Sequence, residues 1–172
     1  YIAGSNGLLC ISTNNGASWT PFNTGTTATF NTLTFASSSY GWAAGTGGTI
    51  CVYNGVQWVP TDTGTTADFY SLGYGGDTLW AVGSGGTICR YVNGAWQAVP
   101  TGIGSTFYSV AFRNSNLGLA VGSGGTLCRW NGSAWVAIDT GTASDIKAVA
   151  WADDNTAYIA GNNGLLCISR NG

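Results

Sequence analysis

The sequence predicts an all-β protein, a β-propeller of four-stranded antiparallel blades, and three observations carry that expectation. A Gly- and Cys-bearing string recurs about every 39 residues, apolar residues alternate with the period of a strand, and Gly or Asn pairs separate short apolar runs. The string Gly-x-(Gly/Asn)-Gly-(Thr/Leu)-(Leu/Ile)-Cys begins at Gly4, Gly45, Gly83, Gly122 and Gly161, at spacings of 41, 38, 39 and 39. Trp19, Trp58, Trp96 and Trp135 mark a second fixed place, and Phe30, Phe69, Phe107 and Ile146 each follow 11 residues later.

One repeat shows how each element arises. Phe107, Ser109 and Ala111 alternate with Tyr108, Val110 and Phe112, which predicts a first strand with two packed faces. Arg113 to Asn116 make a turn, and Leu117 to Val121 form a second strand that stops at Gly122-Ser123-Gly124-Gly125. Adjacent glycines able to take positive φ suit the tight hairpin that follows. Thr126 to Trp130 are the third strand, Asn131-Gly132 a turn and Ala134 to Ile138 the fourth; Asp139-Thr140-Gly141-Thr142 then leads onward. Pro21 and Pro60 fall inside fourth strands, with Pro100 four residues after its Trp. Proline has no N–H for a central ladder, so the fourth strand is expected at the sheet edge.

The blades are expected over 30–62, 69–101 and 107–140, with partial blades over 1–22 and 146–172, all within one repeat array over 1–172. Tyr1 to Thr13 matches Tyr158 to Arg170 at 11 of 13 places. Three arrangements fit such ends: a window of a longer array, a ring closed by strand exchange, or a subunit whose surplus strands join the next. The first and third are favoured here.

Composition narrows function. Five Lys plus Arg stand against seven acids, all Asp, for a net charge of -2; Glu, His and Met are absent, and Gly takes 28 of 172 positions. That excludes a basic nucleic-acid groove. Apolar runs fall far short of the roughly 20 residues needed to cross a bilayer, so no membrane insertion is expected. An apolar content of 44% with 22 aromatics supports a real core.

The segment Ser12-Thr13-Asn14-Asn15-Gly16-Ala17-Ser18-Trp19 resembles the Asp-box, or bacterial neuraminidase (BNR) repeat, with Asn14 in the Asp place and Ser18 in the Thr place. Cys167 to Gly172 resembles the start of a second. Gly41-Trp42-Ala43-Ala44-Gly45 and Trp80 to Ile88 resemble the "GWAVGxxGTI" segments of the photosystem II assembly factor propellers, the Ycf48-like group. The resemblance implies the propeller fold and a structural hairpin between third and fourth strands. It implies no activity, because such blades serve lectins, sorting receptors, assembly factors and glycosidases. The sialidase machinery of this fold is missing: there is no Glu, and Arg90, Arg113, Arg129 and Arg170 sit on separate repeats. Nor do five basic residues make the basic face expected of an assembly factor.

Cys10, Cys51, Cys89, Cys128 and Cys167 occupy one place in each third strand. Equivalent side chains in a propeller point in one rotational sense and lie too far apart for the roughly 5.5 Å Cα separation of a disulfide, so buried free thiols are expected. No metal or cofactor is expected, because no thiol pair lies at ligand spacing and no His is present. Trp19, Trp58, Trp96 and Trp135 are expected to seal one blade against the next, with a sugar-stacking platform as the alternative. The Gly loops read as hairpins, because no Gly-Lys-Ser/Thr or helix follows to hold a phosphate. Asp153-Asp154-Asn155, near Asp145 and Lys147, reads as a solvated turn with calcium as the weaker reading, and Asn131-Gly132-Ser133 fits a glycosylation acceptor. The turns between second and third strands and the linkers between blades should share one face. Thr26, Thr27, Thr65, Thr66, Asp68, Ser105, Thr142 and Asp145 populate it, and Thr27, Thr66, Asp68, Ser105 and Asp145 are the candidate ligand contacts.

The functional expectation is a non-catalytic, extracellular or cell-surface structural or adhesive repeat protein. Self-association through terminal strands and contact with surface glycans are its expected partnerships. The alternative is a propeller lectin with one weak sugar site per blade. Catalysis is not expected, because acid and base work would fall on Asp, Tyr or Cys without a neighbouring base.

Overall fold

The computed structural model describes residues 1–170, which fold into two compact units, one from Tyr1 to Phe69 and one from Tyr70 onward. In the first, β1 (Ile2–Ala3), β2 (Leu9–Ile11) and β3 (Thr20–Pro21) form a three-stranded sheet in that order. β4 (Phe30–Ser37), β5 (Tyr40–Gly45), β6 (Ile50–Tyr53) and β7 (Trp58–Thr61) form a four-stranded one, also in chain order.

The second unit continues the pattern from β8 (Phe69–Gly75), whose first residue closes the first unit, through β9 (Thr78–Gly83), β10 (Ile88–Val92) and β11 (Ala95–Ala98). A second four-stranded sheet joins β12 (Phe107–Asn114), β13 (Leu117–Gly122), β14 (Leu127–Trp130) and β15 (Trp135–Ile138). β16 (Ile146–Trp151), β17 (Ala157–Gly161) and β18 (Leu166–Ser169) make a three-stranded sheet among the described residues. The neighbouring pairs are antiparallel, for example Ala120↔Cys128 and Cys128↔Ala137. The fourth strand lies at the sheet edge, and Pro21 and Pro60 stand there opposite Cys10 and Cys51. Edge placement explains how a residue without an N–H is tolerated within a strand.

The first strands depart from strict alternation. Register shifts fall between Phe30 and Thr32, Phe107 and Ser109, and Ile146 and Ala148. Each is a bulge at the second residue, and an extra residue flips the faces beyond it. Phe107 and Val110, three apart, are therefore both buried, and so are Ile146 and Val149. The expected two-by-two alternation of Phe107 with Ser109 is corrected by that insertion.

The cores follow the repeat. Leu9, Phe30, Ala43, Cys51, Tyr53 and Trp58 pack together in the first unit, with the Tyr1, Phe22 and Phe35 rings against them. In the second, Phe107, Val110, Cys128, Trp130 and Trp135 gather around Trp80. Each fully buried large side chain contributes roughly 1.5–3 kcal/mol.

Two expected columns are incomplete. Trp58, Trp96 and Trp135 are 3%, 8% and 6% exposed, whereas Trp19 is 41% exposed. The buried three sit opposite Tyr53, Tyr91 and Trp130 on the third strand. Trp19 keeps the register of Trp58, each two residues ahead of the Pro that faces the third-strand Cys, but Ser12 stands where the other third strands carry Tyr53, Tyr91 and Trp130. Cys10, Cys51, Cys89 and Cys128 are buried free thiols, but Cys167 is exposed. The whole of β18 is exposed, since among the described residues neither a fourth strand nor a further sheet covers it, whereas residues of the β4–β7 sheet cover Leu9 of β2.

Candidate functional site

The best-defined polar architecture is the linker that leaves each sheet and folds over that sheet's own hairpin. Thr24, Thr63, Thr101 and Thr140 recur at one place, each followed by Gly. Their hydroxyls donate to the carbonyls of Gly7, Gly48, Gly86 and Gly125 at 2.9, 2.7, 3.3 and 2.8 Å. Asn23, Asp62 and Asp139 accept the N–H of Gly25, Gly64 and Gly141, setting the bend ahead of the lock. Two residues beyond each lock in the first two linkers, Thr26 and Thr65 accept the N–H of Ala28 and Ala67.

The hairpin glycines are required by this closeness. Gly48 has φ +72°, and a Cβ there would lie 1.8 Å from the carbonyl oxygen of Thr65. Gly125 meets Thr142 at the same distance. The fixed Gly pair of the repeat thus serves the linker as much as the turn.

The acids on this face are spent on it. Asp68 accepts the N–H of Gly47 at 2.8 Å, and Asp145 that of Gly124 at 2.9 Å. A carboxylate from the start of one sheet thereby fastens the hairpin tip of the preceding one. The Gly124 N–H, and then Lys147 at 2.9 Å, hold the Asp145 carboxyl below the usual carboxylate range. That same carboxylate raises the Lys147 ammonium.

Of the candidate contacts, Thr27 is exposed and lines an open depression of about 540 Å³ with Asn23, Gly25 and Thr26. A smaller one of about 310 Å³ in the same unit is walled by Gly47, Gly48, Pro60, Asp62, Thr63 and Thr65, among others. Thr66 is exposed beside it, and Ser105 is half-buried in the linker ahead of β12.

A second polar cluster sits at the start of the first strands. The bulges project the residue after each Phe or Ile: Asn31, Tyr108 and Lys147. Lys147 Nζ lies 3.6 Å from the centroid of the Tyr108 ring, which also neighbours the Tyr70 ring at 5.9 Å. The repeated Phe marked the place, but a bulge has no signature of its own in a single sequence.

Elsewhere, polar groups hold turns. Asn14 accepts the N–H of Ser18 at 2.9 Å and Ser12 that of Gly16 at 2.7 Å, which ties the long first hairpin. Its expected second instance, Cys167 to Gly172, runs into 171–172, outside the described residues. Asp153 accepts the N–H of Asn155 and Thr156 at 2.7 and 2.8 Å, and the first of these lowers its pKa most. Asp154 lies 3.4 Å from Arg113. Asn131 closes its turn on Ser133 and Ala134.

No protein-family model and no curated protein sequence matches the chain. Solved structures do. YCF48 bound to D1 peptide superposes with a TM-score of 0.76 at 16% identity, over 99% of this chain and 59% of that one. YCF48 from Cyanidioschyzon merolae gives 0.72 at 17%, over 96% and 62%. The WD40 β-propeller domain of Doa1 gives 0.78 at 12%, over 96% and 59%. The chain spans about three-fifths of the length of these structures. At these identities the likeness establishes the fold, and the fold is that of a β-propeller.

Proposed function

We propose that the chain is a non-catalytic, extracellular propeller-repeat protein that works by contact: it adheres to its surroundings and to copies of itself. The observation that carries this is where its carboxylates go. Asp62, Asp68, Asp139, Asp145 and Asp153 accept backbone N–H groups that shape the chain, and Asp154 faces Arg113. Asp145 and Asp153, held below the usual carboxylate range by such bonds, are poor proton donors, and there is no Glu or His in the chain. Ser12 to Trp19 acts in this reading as an Asp-box hairpin with Asn14 as its organising residue. Buried thiols suit an oxidising location, since burial pushes Cys51, Cys89 and Cys128 up to about 11 and keeps the reactive thiolate scarce.

What remains for a partner is a surface of hydroxyls, amides and backbone interspersed with exposed apolar side chains such as Trp19, Val56 and Leu166. The YCF48 structure that holds a D1 peptide supports the reading, because it shows a propeller of similar blades carrying a polypeptide. Beads coated with the protein should be retained under flow on a surface bearing the same protein, and salt should weaken that retention little. Beads that wash off at the rate of uncoated ones would refute it.

The depression walled by Thr63 and Thr65 favours one alternative, a weak sugar site. A glycan array that saturates, and loses its signal in Thr27→Val, Thr66→Val and Asp68→Asn variants, would establish the lectin reading in place of the adhesive one.

A further inference from the structure

Tyr1–Thr13 and Tyr158–Arg170 differ only at Ser5/Asn162 and Thr13/Arg170, yet the structure treats them oppositely. In the first copy Leu9 is 0% and Cys10 6% exposed, and the Tyr1 ring packs against Phe35, Tyr53 and Trp58. In the second, Leu166 is 70%, Ile168 41% and Tyr158 41% exposed. The two hairpins are nevertheless the same object. β1 and β2 pair as Ile2↔Cys10 and Ala3↔Leu9, and β17 and β18 pair as Ile159↔Cys167 and Ala160↔Leu166. Their hairpin tips also agree in backbone, with Asn6 and Gly7 at φ 55° and 70° and Asn163 and Gly164 at 58° and 73°.

Among the described residues, one of these hairpins pairs with a further strand and the other does not. β2 pairs β3 through Cys10↔Pro21 and Ile11↔Thr20, with the Phe22 N–H donating to the Leu9 carbonyl at 2.8 Å. We propose that the β17–β18 hairpin of one copy takes the place of β1–β2 against β3 of a second copy, so that copies join by strand exchange. The incoming hairpin brings the same side chains in the same register, so the packing of Leu9, Cys10, Ile11 and Tyr1 has a ready replacement. It also arrives attached to β16, which turns a three-stranded sheet into the order first, second, third, fourth seen in the four-stranded sheets. The displaced β1–β2 hairpin keeps its own pairing and becomes exposed as β17–β18 is now. The interactions broken and those formed are the same in kind, the condition under which exchange between copies costs little and protein concentration sets its extent. This deepens the self-association reading above and rests on it.

The test uses the full chain. Sedimentation of the unmodified protein over a wide concentration range reports association, and a disulfide trap reports its geometry. Residues 10 and 21 face each other at a non-hydrogen-bonded pair, where Cα atoms lie roughly 4.5 Å apart, within reach of a disulfide. A Cys10→Ala, Pro21→Cys variant removes the internal competitor and places a thiol opposite the incoming Cys167. Mild oxidation should then link position 21 of one copy to Cys167 of another, with a yield that rises with concentration. Association without that link would overturn the exchange and leave self-association standing. A protein that stays monomeric and unlinked would overturn both, and a link formed within one chain would overturn exchange between copies. Should the Pro21→Cys variant fail to fold, Leu166→Asp with Ile168→Asp decides. Both sites are exposed in the single copy, so melting should be unchanged while association weakens roughly 100-fold, as burying two charges requires. Unchanged association would refute the proposal.

Discussion

The lock between linker and hairpin can be broken at one atom. Thr63 is 5% exposed, and its hydroxyl donates to the Gly48 carbonyl at 2.7 Å. Thr63→Val keeps the shape, removes the donor and strips that partner from the carbonyl of Gly48, itself a buried residue. A buried acceptor stripped of its partner costs about 1–3 kcal/mol. For a chain of 172 residues that corresponds to a fall in Tm of about 3–10 °C. The control is Thr66→Val, three residues away and exposed, which should move stability by no more than about 0.5 kcal/mol. Thr63→Ser retains the hydroxyl and should recover most of the loss. Calorimetry with urea unfolding followed by circular dichroism reads all three. Equal effects at 63 and 66, or no recovery with Ser, would show that the methyl and backbone hold this corner and that the hydroxyl does not.

Thiol labelling of the native protein should modify Cys167 alone and all five cysteines in denaturant; a second fast thiol would contradict the burial of the other four. Trp135→Ala should cost about 3–5 kcal/mol and Trp19→Ala about 1 kcal/mol or less, measured by chemical denaturation. Burial raises Cys51, Cys89 and Cys128 from 9.0 to about 11, so the unfolded chain loses these protons first. Their stabilisation is complete below about pH 9 and lost as pH climbs to about 11, by roughly 3 kcal/mol for each thiol. The fall in Tm between pH 8 and 10.5 should therefore be smaller in Cys51→Ala than in the unmodified chain.

Most of the fold is legible because it is written at a fixed period. Strand order follows from Pro21 and Pro60, since a missing N–H has only one tolerable place in a sheet. The buried thiols follow from Cys at one register position of a strand packed on both faces. The exceptions were physically illegible. Whether Cys167 is covered depends on what packs against its strand, and whether Trp19 is covered depends on the side chains around it, where Ser12 stands in place of Tyr53, Tyr91 and Trp130. The bulges at Asn31, Tyr108 and Lys147 are set by pairing with the second strand, which alternation within the first cannot report.

The site was half legible, for a reason that also bears on what the surface does. Asp68 and Asp145 stood out as lone charges among hydroxyls, and charge at a loop suggests a ligand. The structure gives both a backbone N–H of the neighbouring hairpin instead. The more informative signal was the duller one, Thr followed by Gly in each of four linkers, because a residue repeated at every blade is answering a demand that every blade makes. Packing demands of that sort recur with the repeat, whereas the demands of a partner need not. Tyr70, Tyr108, Asp145 and Lys147 break the repeat where Thr63 keeps it. If a partner reads individual side chains of this protein, substitutions of Tyr70, Tyr108 and Lys147 should change its binding and leave melting nearly unmoved, the reverse of what Thr63→Val should do, whereas Asp145 also ties the Gly124 hairpin and should affect both.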